Sequence, residues 1–82
     1  MELGQVVFSK KGRDKGKPFV VMHTDGEYVF LTDGKLRPMA KPKKKKVKHI
    51  QPLNKIFDVK TAQKAGGLTD ACLRKWLIPF LK

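Results

Sequence analysis

Acidic residues are scarce in this chain: seven Asp and Glu stand against nineteen Lys and Arg among 82 residues. The acids fall mostly in stretches that read as turns, and no nucleophile stands beside a base in the way catalysis requires, so the sequence argues against an enzyme. Cysteine is nearly absent. Cys72 is alone, which excludes an internal disulfide, and its apolar-periodic surroundings predict a buried structural thiol rather than a reactive one. The two histidines, His23 and His49, have no Cys, Asp or His at ligand spacing, so no metal or other cofactor is expected. No apolar run approaches the roughly 18 residues of a membrane-spanning helix, and no secretory apolar core follows Met1. These absences lead to the expectation of a soluble cytoplasmic protein with no membrane partner.

What the chain does have is positive charge. The formal net charge is +12 and the pI about 10.2. Such an excess favours a polyanionic partner. Its distribution is uneven: residues 41–50 hold six lysines and no acid, whereas the first forty residues are nearly balanced. Hydrophobic residues make up 40% of the chain, enough for one small folded domain. A domain of this size buries only about 60–65% of the surface its unfolded chain exposes, so the core must be modest.

Turn signals recur roughly every 8–12 residues, as in a small all-β barrel or sandwich. GQVVFSK (4–10) reads as a first strand. KPFVVMHT (17–24) reads as a second, with Phe19, Val21 and His23 on one face and Val20 and Met22 on the other. Asp25-Gly26 is a hairpin signal leading into EYVFLT (27–32). A second Asp-Gly pair, Asp33-Gly34, leads into KLRPM (35–39), a short strand ended by Pro38. AKPKKKK (40–46) reads as a basic loop, and VKHIQP (47–52) as a last strand stopped by Pro52. The tail then changes period. Asp58 can cap a short helix that ends before Gly66. Thr69 can cap a longer one over about 69–78, on which Leu68, Cys72 and Trp76 recur every four residues, Leu73 and Leu77 widen the stripe, and Pro79 ends the run. So wide an apolar stripe is expected to pack on an open side of the barrel.

The stretch KKGRDKGKP (10–18) sets the chemistry. As a nucleotide phosphate loop it fails: the glycine spacing is one residue short, Pro18 stands where a hydroxyl is needed, and a strand follows instead of a helix. As a polyanion grip it is well made. Gly12 and Gly16 can adopt positive φ, turn the chain tightly and present backbone N–H groups. Lys10, Lys11, Arg13, Lys15 and Lys17 supply cations, Arg13 with a planar bidentate fork. Asp14 is expected to cap the turn or orient Arg13. Equally, the glycines can be plain turn residues and the lysines a solvated loop. Lys41, Lys43, Lys44, Lys45 and Lys46 form a less specific tract, extended by Lys48 and His49. The strand aromatics Phe8, Phe19 and Phe30 read as core. Tyr28, beside a turn, is the best candidate for stacking on a base, and Trp76 reads as an anchor of the tail.

The layout of residues 1–52 resembles the KOW-motif proteins, which include several large-subunit ribosomal proteins and a domain of bacterial transcription elongation factors. The carriers are Val6, Val7 and Phe8, then Gly12, Arg13, Asp14, Lys15 and Gly16, then Phe19, Val20 and Val21. Within that group the likeness is to short bacterial KOW-containing RNA-binding proteins, similar to a large-subunit ribosomal protein of archaea and eukaryotes. The tract KPKKKKVKHIQP and the Asp-Gly-Lys-Leu-Arg turn, with Arg37, share in it. The resemblance implies a mainly β fold, a small SH3-like KOW barrel over 1–52 that includes the basic loop 40–46, with a helical tail over 53–82. It also implies noncatalytic binding of structured RNA, ribosomal RNA among the candidates, and the protein is expected to be a monomer. Two other readings compete. A protein-interaction adaptor would use the barrel and the tail, with Trp76 and Phe80 docking on a partner. A DNA-binding helix-turn-helix over 58–78 would need a longer first helix and a turn without two glycines.

Overall fold

Two adjacent valines, Val6 and Val7, are both fully buried, as are the successive residues Phe19, Val20 and Val21. A strand points alternate side chains to opposite faces, so such runs require a sheet covered on both sides. The computed structural model, which describes residues 1–81, has that arrangement. Strands β1 (Gln5–Ser9), β2 (Pro18–Asp25), β3 (Tyr28–Thr32), β4 (Lys43–Lys46) and β5 (Ile50–Ile56) form one antiparallel sheet in the order β4-β3-β2-β1-β5. Helices α1 (Val59–Lys64) and α2 (Asp70–Leu77) follow, the latter running into a 3-10 turn, Ile78–Phe80. Lys82, the last residue of the expected tail, lies outside the described residues.

The sheet cannot be flat. Strands spaced about 4.8 Å apart would put the two edges of a five-stranded sheet roughly 19 Å apart. Yet edge strands β4 and β5 are joined only by the 3-10 turn Val47–His49, and four Cα steps reach at most about 15 Å even when fully extended. The sheet therefore curls, and the concave side encloses one core: Val7, Phe19, Val21, Val29, Leu31 and Ile50, with Val47 packed against it. The convex side is covered by the tail. Val6 and Val20 meet Val59, Leu73 and Leu77 there, and Phe57 stacks on Trp76 with ring centroids 4.5 Å apart. The observed architecture is thus mainly β, a curled five-stranded antiparallel sheet with the C-terminal helical segment against its convex face instead of at an open side.

Asp25-Gly26 makes the β2–β3 hairpin, with Asp25 opposite Tyr28 and Gly26 at φ +58°. In the tail, Asp58 accepts the Thr61 N–H at 3.0 Å, Thr69 accepts the Cys72 N–H at 3.1 Å, and α2 ends at Leu77, two residues before Pro79. Leu73 and Leu77 form its buried face, while Cys72 is only half-buried.

Three expectations are corrected. Residues 35–39 are not a strand. Asp33 Oδ1 accepts the N–H groups of Lys35 and Arg37 at 2.9 and 2.8 Å, so those donors serve a side chain instead of a ladder. The lysines 43–46 are not a loop but strand β4, pairing with β3 from Lys43–Leu31 to Lys46–Tyr28. Lysine suits this place because a charged edge resists pairing with other chains. Finally, Val47, Lys48 and His49 form the 3-10 turn, and the last strand begins at Ile50 and runs on to Ile56. Pro52 does not stop it because β5 is an edge strand, where a missing N–H is tolerated.

Candidate nucleic-acid interface

The glycine loop (10–17) leaves β1 and returns to β2 through two left-handed residues, Gly12 at φ +79° and Gly16 at +83°. The turn is closed from within. Lys15 N–H donates to the Gly12 carbonyl at 3.2 Å, Gly16 N–H to the Ser9 carbonyl at 2.8 Å, and Lys17 N–H to the Asp14 carbonyl at 2.9 Å. These three amides therefore hold the loop's own shape and are not among the N–H groups it could present to an anion. What the loop offers outward is side-chain charge: Lys10, Lys11, Arg13, Lys15 and Lys17 are all exposed.

Asp14 takes a different part from the one expected. It is buried, 6% exposed, and its Oδ2 lies 3.4 Å from Nη2 of Arg37 instead of orienting Arg13. Arg37 thus has Nη2 engaged by Asp14 while its side chain stays 35% exposed. It ties residues 33–39 to the glycine loop, and its backbone carbonyl accepts the Thr32 hydroxyl. Arg13 is left exposed at the tip with Lys15.

Lys45 joins the tract to the loop. From β4 its ammonium reaches across to Ser9 Oγ and to the Lys11 carbonyl, both at 2.6 Å. The buried Ser9 hydroxyl itself donates to the Lys11 carbonyl at 2.9 Å. The Lys45 ammonium therefore fastens the loop from beneath. Its neighbours differ: Lys41, Lys46 and Lys48 are exposed, Lys43 is half-buried, and the Lys44 ammonium sits 4.4 Å above the Tyr28 ring. Tyr28, the expected stacking residue, already has one cation on its face.

His49 marks where these cations converge. Loss of water around the half-buried ring lowers its pKa from the ordinary 6.5, and the charges of Lys11, Lys48, Lys46 and Lys45 lower it further. Lys11 belongs to the glycine loop and Lys45 and Lys46 to the tract, so loop and tract share one end of the barrel. Lys10 N–H donates to the His49 carbonyl at 2.8 Å, tying the same elements through their backbones. His23 stands apart, exposed and packed on Phe30 with centroids 5.4 Å apart. Trp76 and Phe80 are half-buried in the second core.

Sequence reasoning missed Ser9, the hub of the Lys45 contacts. Nothing in a lone serine at a strand end distinguishes it from a solvated one. Among the described residues no three His, Cys, Asp or Glu side chains gather as a metal site would need, and no helix is long and apolar enough to cross a membrane.

No family model matches the chain. Two curated proteins are similar to it over its whole length. It is 28% identical over 83 residues to the large ribosomal subunit protein eL14 of Staphylothermus marinus, covering 86% of that protein. It is 26% identical over 83 residues to the large ribosomal subunit protein eL14 of Pyrobaculum aerophilum, covering 81%. Both of these relatives are archaeal.

Proposed function

We propose that this protein is a noncatalytic RNA-binding protein of the short bacterial KOW type that associates with ribosomes in the cytoplasm. In this reading it grips phosphates of structured ribosomal RNA through Lys10, Lys11, Arg13, Lys15 and Lys17 of the loop and Lys41, Lys43, Lys44, Lys46, Lys48 and His49 beside it. Gly12 and Gly16 shape the loop, while Lys45 and Arg37 position it. The observation that carries the proposal is the Lys45 bridge, because it fuses two basic segments distant in sequence into one cationic end. The names of the two archaeal relatives support the ribosomal assignment. The exposed groups are ammonium and guanidinium rather than aromatic, which favours recognition of shape and phosphate over reading of bases.

The test is co-sedimentation of the purified protein with ribosomes and with separated subunits across a salt series. The expected result is saturable retention on the large subunit that weakens with salt. Neutralising six phosphates gives a slope of log affinity against log salt of about −4 to −5. A shallow slope, or equal retention on any RNA, refutes the ribosomal assignment.

A further inference from the structure

Away from the cluster around His49, the end of α2 and residues 33–37 enclose a groove of about 510 Å³. Its exposed apolar lining is aliphatic: Leu36 is 64% exposed, and Ile78 and Leu81 61% each. These are the most exposed large hydrophobic side chains among the described residues. Three aliphatic side chains side by side in one concavity are more than scattered surface apolarity. The rim is cationic, with Lys17, Lys35 and Arg74 around it. Asp33, the acid among the lining residues, has Oδ1 occupied by the N–H groups of Lys35 and Arg37.

The groove is held in shape. Arg74 Nη1 donates to the Gly34 carbonyl at 2.5 Å, and Asp70 Oδ1 accepts the Met39 N–H at 2.8 Å. Both contacts clamp residues 34–39 to α2, so an occupant meets a preformed surface.

We propose that this groove docks an acidic, aliphatic segment of a partner protein, with leucine- or isoleucine-like side chains over Leu36, Ile78 and Leu81 and carboxylates on Lys17, Lys35 and Arg74. RNA is a poor occupant. No aromatic residue lines the groove, so bases find no stacking surface, and aliphatic side chains offer phosphates nothing. A second copy is opposed by the rim's own sign and by the chain's net charge of +12. The surface goes beyond the RNA-binding reading and uses different residues, apart from Lys17 at the border.

The experiment titrates the isotopically labelled full chain with a short soluble peptide carrying two leucines flanked by glutamates, followed by amide NMR. Control peptides carry serine for leucine, or lysine for glutamate. The expected result is saturable shifts at Leu36, Arg74, Ile78 and Leu81, with both controls weaker by roughly tenfold or more. Ile78→Asp and, separately, Leu36→Asp should weaken the peptide to the same degree while leaving ribosome co-sedimentation unchanged. Four outcomes overturn the proposal: no saturable shift, equal binding of the serine peptide, groove shifts produced by an RNA oligonucleotide instead, or shifts that track protein concentration as self-association would.

Discussion

Replacing Lys45 by methionine removes an ammonium while keeping most of the side chain's length. In the structure that ammonium makes two short charge-assisted hydrogen bonds, to Ser9 Oγ and the Lys11 carbonyl. Bonds of this kind contribute about 1.5–3 kcal/mol each. Ordering the lysine side chain costs up to about 2 kcal/mol, and the half-exposed setting weakens the electrostatic part. The net loss for Lys45→Met is therefore about 1–2 kcal/mol. For a domain of this length that lowers Tm by roughly 5–15 °C. Lys46→Met removes the same charge from the next position, which is exposed, and should cost less than about 0.5 kcal/mol.

Thermal and urea unfolding of the two variants measure the difference, and amide exchange locates it. Lys45→Met should speed exchange at Lys15, Gly16 and Lys17, whose N–H groups close the loop. A Ser9→Ala, Lys45→Met double-mutant cycle should return a coupling near 1 kcal/mol. Equal stability of the two lysine variants, or a coupling indistinguishable from zero, would refute the bridge as the element that holds loop and tract together.

Four other perturbations have defined outcomes. Gly34→Ala places a Cβ 2.2 Å from the Asp70 carbonyl oxygen at φ +74°; with clash added to left-handed strain, urea unfolding should show a loss of about 2–4 kcal/mol. Gly26→Ala, at φ +58° in open space, should lose only about 1 kcal/mol. Arg37→Ala strands the buried Asp14 carboxylate and should cost about 1–3 kcal/mol by the same method, less in an Asp14→Asn background. His49 has a folded pKa below its ordinary 6.5, so protonation favours the unfolded chain. Its stabilising contribution is present above pH 6.5 and is lost as pH falls through the lowered folded value. His49→Gln should therefore flatten the acid limb of the stability–pH curve, and an NMR titration should show His49 midpoint rising when phosphate-bearing RNA is added.

The legible parts of the sequence were those where local chemistry and the global fold agree. Asp25-Gly26 had to turn, and Thr69 had to cap, because their side chains and backbones satisfy nearby groups whatever lies elsewhere. The run Phe19, Val20, Val21 announced a strand, though only the covered convex face explains why none of the three is exposed. Asp33-Gly34 shows where local reading stops. The same dipeptide that makes a hairpin after β2 makes, after β3, a seat for α2: Gly34 lies so close to Asp70 and Leu73 that a side chain there would collide with the helix. That requirement comes from residues more than thirty positions away.

The candidate site divides along the same line. Exposed cations at the loop tip follow from composition and turn residues alone, and the sequence marks them well. Which cations already have a partner within the protein depends on contacts that no spacing rule connects. Arg37 is turned toward a buried Asp14 and Lys45 toward Ser9. Lys45 is set apart from Lys44 and Lys46 only because alternate residues of an edge strand face opposite ways, so a run that reads as uniform splits by parity once it pairs with β3. The lysine tract is consequently not one electrostatic patch. It is an edge strand that commits one ammonium to fastening the glycine loop, sets another over Tyr28, and leaves Lys46 exposed.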